Sequence, residues 1–260
     1  MSLHNLFSNN VKKTLVGTLL VTGMALGSGM ALAKDKIRFV TEGAWAPFNF
    51  IDSSGIAQGF DVDIALALCA KMDAECTMQT QDWDGLIPAL KVKKFDAIIA
   101  SMSITEERAK QVDFTEHYYS GGLRFVAAEG KPFDTSKEGL KGKVIGAQRA
   151  TVAGLYLEDN LADVVEIKLY DTNDNVYLDL KSGRLDGALS DELPTYEWLQ
   201  SEAADGYEYK GEAFAKDDKI AIAVRKGDKL REKLNKALAE IIADGTYAKI
   251  NAKYFPFPIY

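Results

Sequence analysis

Residues Ser101-Met102-Ser103-Ile104-Thr105-Glu106-Glu107-Arg108 place two hydroxyls, a threonine and an arginine directly behind the apolar run Ala97-Ile98-Ile99-Ala100. The run is short, β-branched at its centre and preceded by Asp96, the pattern of a strand buried on both faces. Thr105 can cap a helix that carries Arg108 in its first turn. Open α/β sheets gather ligands beyond the carboxyl ends of their strands. A guanidinium held there, beside hydroxyls and helix N–H groups, suits a carboxylate. The same residues would also serve as a capped surface helix with a solvated arginine, and nothing inside the segment separates the two readings.

Other chemistries have fewer residues to draw on. Past residue 33 the only histidine is His117, where a surface position is expected, and the only cysteines are Cys69 and Cys76. That is too small a set for a typical zinc site. No nucleophile–base constellation stands out either, so neither a metal nor a catalytic residue is expected.

The first 33 residues read as an export signal. Lys12 and Lys13 precede a Gly-broken apolar run from Leu15 to Met30, and Ala31-Leu32-Ala33 supplies a small-x-small cleavage pattern. The run is too interrupted for a membrane anchor. A periplasmic, soluble mature chain is therefore expected. Its removal leaves 29 basic against 38 acidic residues, a net charge of −9 where the whole chain carries −7. An acidic surface speaks against nucleic acid or anionic membrane as partner. In an exported chain, Cys69 and Cys76 suggest one disulfide tying a helix end to the next strand, two buried thiols being the alternative.

The elements that must position Arg108 alternate between strand and helix, which indicates an α/β fold. Strand character falls at residues 37–40, 77–81 and 97–100, with helices over 62–72, where Asp61 can act as cap, and over 85–94. A long extended segment follows over 118–128, with Gly121-Gly122 inside it. A second series has strands at 143–147, 164–170 and 185–190, with helices over 152–160, 175–181 and after Pro194. A return strand at 220–225 precedes an amphipathic helix on Leu230, Leu234, Leu238, Ile241 and Ile242 that ends at Gly245. Two such series predict two lobes, at 34–121 with 219–260 and at 122–218. Gly121-Gly122 and the stretch 216–219 are the candidate crossovers.

In this order the landmarks resemble the periplasmic amino-acid-binding proteins of ABC importers (solute-binding protein family 3). The lysine/arginine/ornithine-, histidine- and opine-binding members are the most similar. The residues concerned are Gly59-Phe60-Asp61-Val62-Asp63-Ile64, Asp82-Trp83-Asp84-Gly85-Leu86-Ile87-Pro88, Lys94-Phe95-Asp96-Ala97-Ile98, Ser103-Ile104-Thr105 with Arg108, Gly183-Arg184-Leu185-Asp186 and Asp244-Gly245-Thr246-Tyr247. The resemblance implies a two-lobed type II periplasmic binding fold with two crossovers and a ligand between the lobes. It implies a cationic amino acid as ligand, an ABC permease as partner, no cofactor and a monomer.

Carried over by position, Arg108, Ser103 and Thr151 hold the ligand α-carboxylate, beside Ser101, and Asp191 holds the α-ammonium. The competing role for Asp191 is a plain helix N-cap. Glu42 meets the distal cation, and Trp45 and Trp83 sandwich the aliphatic stem. The alternative is that both indoles are core and Glu42 is solvated. Two departures concern ligand identity. Gln148-Arg149-Ala150-Thr151-Val152 replaces a Gly-Ser-Thr type loop, leaving Val152 without a polar group while Gln148 can reach a long side chain. Ala100 stands where a serine can occur. Dehydratases of similar fold, and sensory receptors, are the competing functions.

Overall fold

The computed structural model describes residues 34–260, and the export signal expected over 1–33 lies outside the described residues. The first series opens with β1 (Lys36–Thr41), whose Ile37, Phe39 and Val40 are buried. Between the strand expected at 37–40 and the helix expected over 62–72, where no element is expected, the chain makes a small antiparallel sheet of β2 (Ala44–Trp45), β3 (Asn49–Ile51) and β4 (Ala57–Gln58). Then come α1 (Phe60–Lys71), β5 (Glu75–Thr80), α2 (Leu86–Lys91), β6 (Ala97–Ile98) and α3 (Glu106–Gln111). β1 lies between β5 and β6, parallel to both. The disulfide Cys69–Cys76 ties the end of α1 to the start of β5.

The capping expected of Asp61 is not observed. α1 starts two residues earlier, with Gly59 at the cap position at φ 123°. A Cβ there would meet the Phe48 carbonyl oxygen at 2.2 Å, so glycine is what lets the helix start pack onto the preceding turn. Asp61 itself is fully buried, where Tyr118, Asn49 and Ser101 all donate to its carboxylate. Core donors outcompete the helix end because a buried carboxylate without partners is costly.

β7 (Val112–Ala128) starts earlier than expected and crosses the whole molecule. The second series follows with α4 (Lys137–Leu140), β8 (Val144–Gln148), α5 (Val152–Leu161), β9 (Glu166–Tyr170), α6 (Asn173–Lys181), β10 (Gly187–Asp191) and α7 (Glu192–Leu199). β11 (Tyr207–Arg225) returns along β7 through several register shifts, including one between Phe214 and Asp218. At that irregularity a Cβ on Gly122 would meet the Phe214 carbonyl oxygen at 2.9 Å, so Gly122 permits the close approach of the two crossing strands. α8 (Leu230–Ala243) and α9 (Thr246–Tyr254) close the chain.

The large sheet runs β5-β1-β6-β11-β7-β10-β8-β9. Two parallel trios are thus joined by the antiparallel ribbon of β7 and β11. Separate apolar cores follow the same division. One gathers Phe39, Phe60, Leu68 and Tyr118 with Leu234, Leu238 and Ile241 of α8, and another gathers Phe125, Ile145, Leu157 and Leu189. Each such side chain contributes about 1.5–3 kcal/mol by leaving water. The two-lobed α/β fold expected from the alternating elements is present, and the C-terminal helices pack on the first core. Because β7 lies antiparallel to β10, and β11 antiparallel to β6 and β7, the trios direct their carboxyl ends toward a common cleft.

Candidate ligand-binding site

The eleven residues singled out from the sequence line one cavity in that cleft: Glu42 beyond β1, Trp45, Trp83, Ala100, Ser101, Ser103 and Arg108 on one side, and Gln148, Thr151, Val152 and Asp191 on the other. The cavity leaves about 10 Å³ open to a water-sized sphere, near the room one water requires. A wider vestibule of about 600 Å³, lined by Asp82, Asp84, Arg149 and Asp171, shares Glu42 and Trp83 with it.

Arg108 is buried, 8% exposed. The Thr105 hydroxyl accepts its N–H at 3.2 Å, so the cap expected from sequence is formed and fixes the first turn of α3. The guanidinium donates to the carbonyls of Ser103 at 2.9 Å and Ala150 at 3.0 Å, and lies 5.1 Å from the Trp83 ring centre. Among the described residues no carboxylate comes within ion-pair distance of it. Burial pulls its pKa down to about 10, partly offset by Asp218 and Asp191. A desolvated cation held this way favours an incoming anion.

Asp191 occupies the N-cap position of α7, yet its side chain makes no capping bond. Burial, reinforced by Asp218, raises its carboxyl to about 7, while Arg108 opposes the shift. Asp218, on the returning strand, accepts from the Ser103 hydroxyl at 2.6 Å. The sequence offered no charge-based signal for Asp218, which sits in the crossover stretch 216–219. The Thr151 hydroxyl donates to the Gln148 carbonyl at 2.8 Å and caps α5 by accepting from Gly154. Both hydroxyls expected to donate to a ligand carboxylate therefore donate to protein acceptors here, because each sits where a buried acceptor needs them.

Gln148 is 1% exposed. Its Nε2 donates to Glu42 Oε1 at 2.6 Å and to the Asp171 carbonyl at 3.0 Å. Its Oε1 is buried with no hydrogen-bond partner. Burial raises Glu42 to about 7, and the nearby charges of Asp174, Asp82 and Asp84 add to the shift while Gln148 opposes it. Glu42 is thus enclosed rather than solvated. Trp45 is both core and wall, packed in the larger apolar cluster at 7% exposure while facing the cavity. Trp83 is half-buried and donates from Nε1 to the Ala150 carbonyl at 3.1 Å. Arg149 forms ion pairs with Asp84 and Asp171 at the exposed rim. His117 stacks on Tyr260, outside the cavity lining.

One cavity therefore presents a guanidinium with no ion-pair partner among the described residues, the half-buried carboxyl of Asp191, a second carboxyl, Glu42, bonded to the Gln148 amide, and two indoles. A fold of two α/β halves with such a cleft defines a solute-binding protein. The chain belongs to the bacterial extracellular solute-binding proteins, family 3, whose profile matches residues 37–257. It is 40% identical over 257 residues to the L-arginine-binding protein of Pseudomonas aeruginosa, covering 96% of this chain and 98% of that one. It is 38% identical over 259 residues to the histidine-binding periplasmic protein of Escherichia coli K12, covering 96% and 99%. An ancestral arginine-binding protein bound to arginine superposes with a TM-score of 0.81 at 38% identity, over 85% of this chain and 99% of that one. No helix among the described residues is long and apolar enough to cross a membrane.

Proposed function

We propose that this chain is an extracytoplasmic receptor that binds a cationic L-amino acid of the arginine, lysine, ornithine or histidine class and delivers it to an ABC permease. The observation that carries this reading is that one cavity is lined by the buried guanidinium of Arg108 together with the half-buried carboxyls of Glu42 and Asp191. Arg108 pairs with the α-carboxylate, Asp191 with the α-ammonium and Glu42 with the distal cation, while Trp45 and Trp83 cover the methylenes. Gln148 Oε1, which has no partner among the described residues, can accept a further N–H from a ligand cation. Names of relatives that bind arginine and histidine support the class.

In this reading the halves move as lobes 34–121 with 219–260 and 122–218. The small cavity requires them to part before a ligand enters, and the zwitterion bridging Arg108 and Asp191 then favours the closed form. Each charge-assisted bond contributes about 1.5–3 kcal/mol. Several of them, less the costs of association and closure, allow roughly micromolar or tighter binding, about −8 kcal/mol. Export rests on the segment 1–33, and the receptor works as a soluble monomer without nucleic acid or cofactor.

Calorimetry with arginine, lysine, ornithine, histidine, glutamine and glutamate tests the class. Preference for glutamate, or a ranking unchanged by Glu42→Gln, overturns it. One observation favours a second reading: the half-buried Glu42, its carboxyl pushed up to about 7, has the proton affinity of a general acid, as a dehydratase would need. Incubation with prephenate or arogenate decides this, and no turnover is expected.

A further inference from the structure

We propose that Asp61 is the positioning residue of the ligand site. Its carboxylate is fully buried and lies outside the cavity lining. It ties together three segments that carry site residues. Tyr118 Oη donates to Oδ1 at 2.6 Å, while Asn49 Nδ2 and Ser101 Oγ donate to Oδ2 at 2.8 and 3.1 Å. Each donor leads outward. Asn49 Oδ1 accepts from the Gly43 N–H at 2.8 Å, and Asn49 faces Trp45 in the β2–β3 ladder, so this arm holds both Glu42's neighbour and an indole wall. Ser101 lines the cavity with φ at +52°, a left-handed conformation that a non-glycine residue keeps only when its surroundings enforce it. Its N–H donates to Tyr118 Oη at 3.2 Å, closing a ring of bonds with Asp61. Tyr118 sits on the crossing strand β7, and its carbonyl accepts from Tyr247 Oη at 2.6 Å.

The three donors are neutral, and no cation is among the hydrogen-bond partners of Asp61. Burying a carboxylate against neutral donors costs stability that a packed apolar residue would not. When ionised, a carboxylate supplies acceptor-only chemistry at both oxygens, which fixes the direction of all three donors, and their bonds oppose the rise to about 7 that burial causes. It thereby sets the Asn49 amide orientation that meets the Gly43 N–H. This placement rests on the reading of the cleft as the amino-acid site, since its value is the geometry of Glu42, Trp45 and Ser101.

The test is a chemical exchange. Asp61→Asn sets an amide NH₂ against the Asn49 NH₂ or turns one of them away. The double variant Asn49→Asp with Asp61→Asn restores a donor facing an acceptor between positions 49 and 61 and leaves an oxygen for Gly43 and another for Tyr118, while the Ser101 hydroxyl turns to accept from the new amide. Amide hydrogen exchange at Gly43 and Ser101, read by NMR without ligand, should quicken at least tenfold in Asp61→Asn and return to within threefold of wild type in the exchanged pair. Arginine affinity by calorimetry should fall at least tenfold and recover in the same order. Tyr118→Phe, which keeps the ring and loses the hydroxyl, should quicken Ser101 exchange and serves if Asp61→Asn does not fold. Unchanged exchange and affinity in the folded single variants, or no recovery in the exchanged pair, overturns the proposal. Wild type that binds none of the basic amino acids overturns the ligand reading, while the exchange measurement still decides the role of Asp61.

Discussion

Arg108 and Trp83 share one acceptor. Both donate to the carbonyl of Ala150, at 3.0 and 3.1 Å, and the guanidinium lies over the indole. Ala150 belongs to the second half of the molecule, in the loop before α5, with φ at +55°. The two side chains thus reach from the first half of the molecule to the second across the cleft. Under the proposed function, ligand affinity and closure would be linked through this contact.

Arg108→Gln should lower arginine affinity about 100-fold or more, the loss of one or two charge-assisted bonds at about 1.5–3 kcal/mol each. Arg108→Lys should recover only part of this, because an ammonium cannot present two parallel donors. Calorimetry measures both, and an Arg108→Lys variant equal to wild type would contradict a specific need for the guanidinium.

Trp83→Phe keeps an aromatic wall and removes the N–H to Ala150. A loss of about 1 kcal/mol, or roughly fivefold in affinity, is expected for one neutral hydrogen bond. The rim pairs of Arg149 with Asp84 and Asp171 are exposed at both partners, so Arg149→Ala should change affinity less than about threefold. Reversal of that ranking in side-by-side titrations would refute the geometry.

Binding should strengthen with pH. Glu42 and Asp191 have carboxyls raised to about 7, so below that pH each must lose a proton before it can pair with a ligand cation. Arginine affinity should therefore fall as pH drops from 8 to 5, by at most about tenfold per unit for each group. Glu42→Gln should flatten the slope. Stability without ligand runs the other way. A carboxyl raised above its unfolded value lends stability below about pH 4 that is lost as pH rises through 7. Melting scans with and without arginine at each pH check both signs.

Cys69 and Cys76 close a short loop at the far end of the first half, where β5 begins, away from the carboxyl ends that form the site. Replacing both with alanine should cost about 2–3 kcal/mol of unfolding free energy in the chain-entropy account. Arginine affinity should stay within about twofold. Urea titration and calorimetry on the same preparation separate the two effects.

Alternation of apolar and polar residues made most elements legible, since periodicity is a local property. The small sheet of β2 to β4 escaped because its strands are two or three residues long and give no period to read. The capping role expected of Asp61 failed for a different reason. A helix-start aspartate looks the same in sequence whether its carboxylate turns to the helix end or into the core, and only the positions of Tyr118, Asn49 and Ser101 decide. Asp218 and the commitment of the Ser103 and Thr151 hydroxyls were likewise invisible, because each depends on a partner distant in sequence or on the turn geometry of one loop.

The sequence by itself determined the class of site. The order of motifs around Arg108, Glu42, Trp45, Trp83 and Asp191 resembles the basic-amino-acid binders, and that resemblance implied a zwitterion with a cationic tail, with which the residue types agree in any conformation. Only the tertiary structure decided which groups oppose each other. It placed Arg108 without a carboxylate partner, enclosed Glu42 against Gln148, left Gln148 Oε1 unpaired and buried Asp61 as an anchor. Burial and pairing arise from residues that meet only when β7 and β11 bring the two halves together, so no local pattern encodes them.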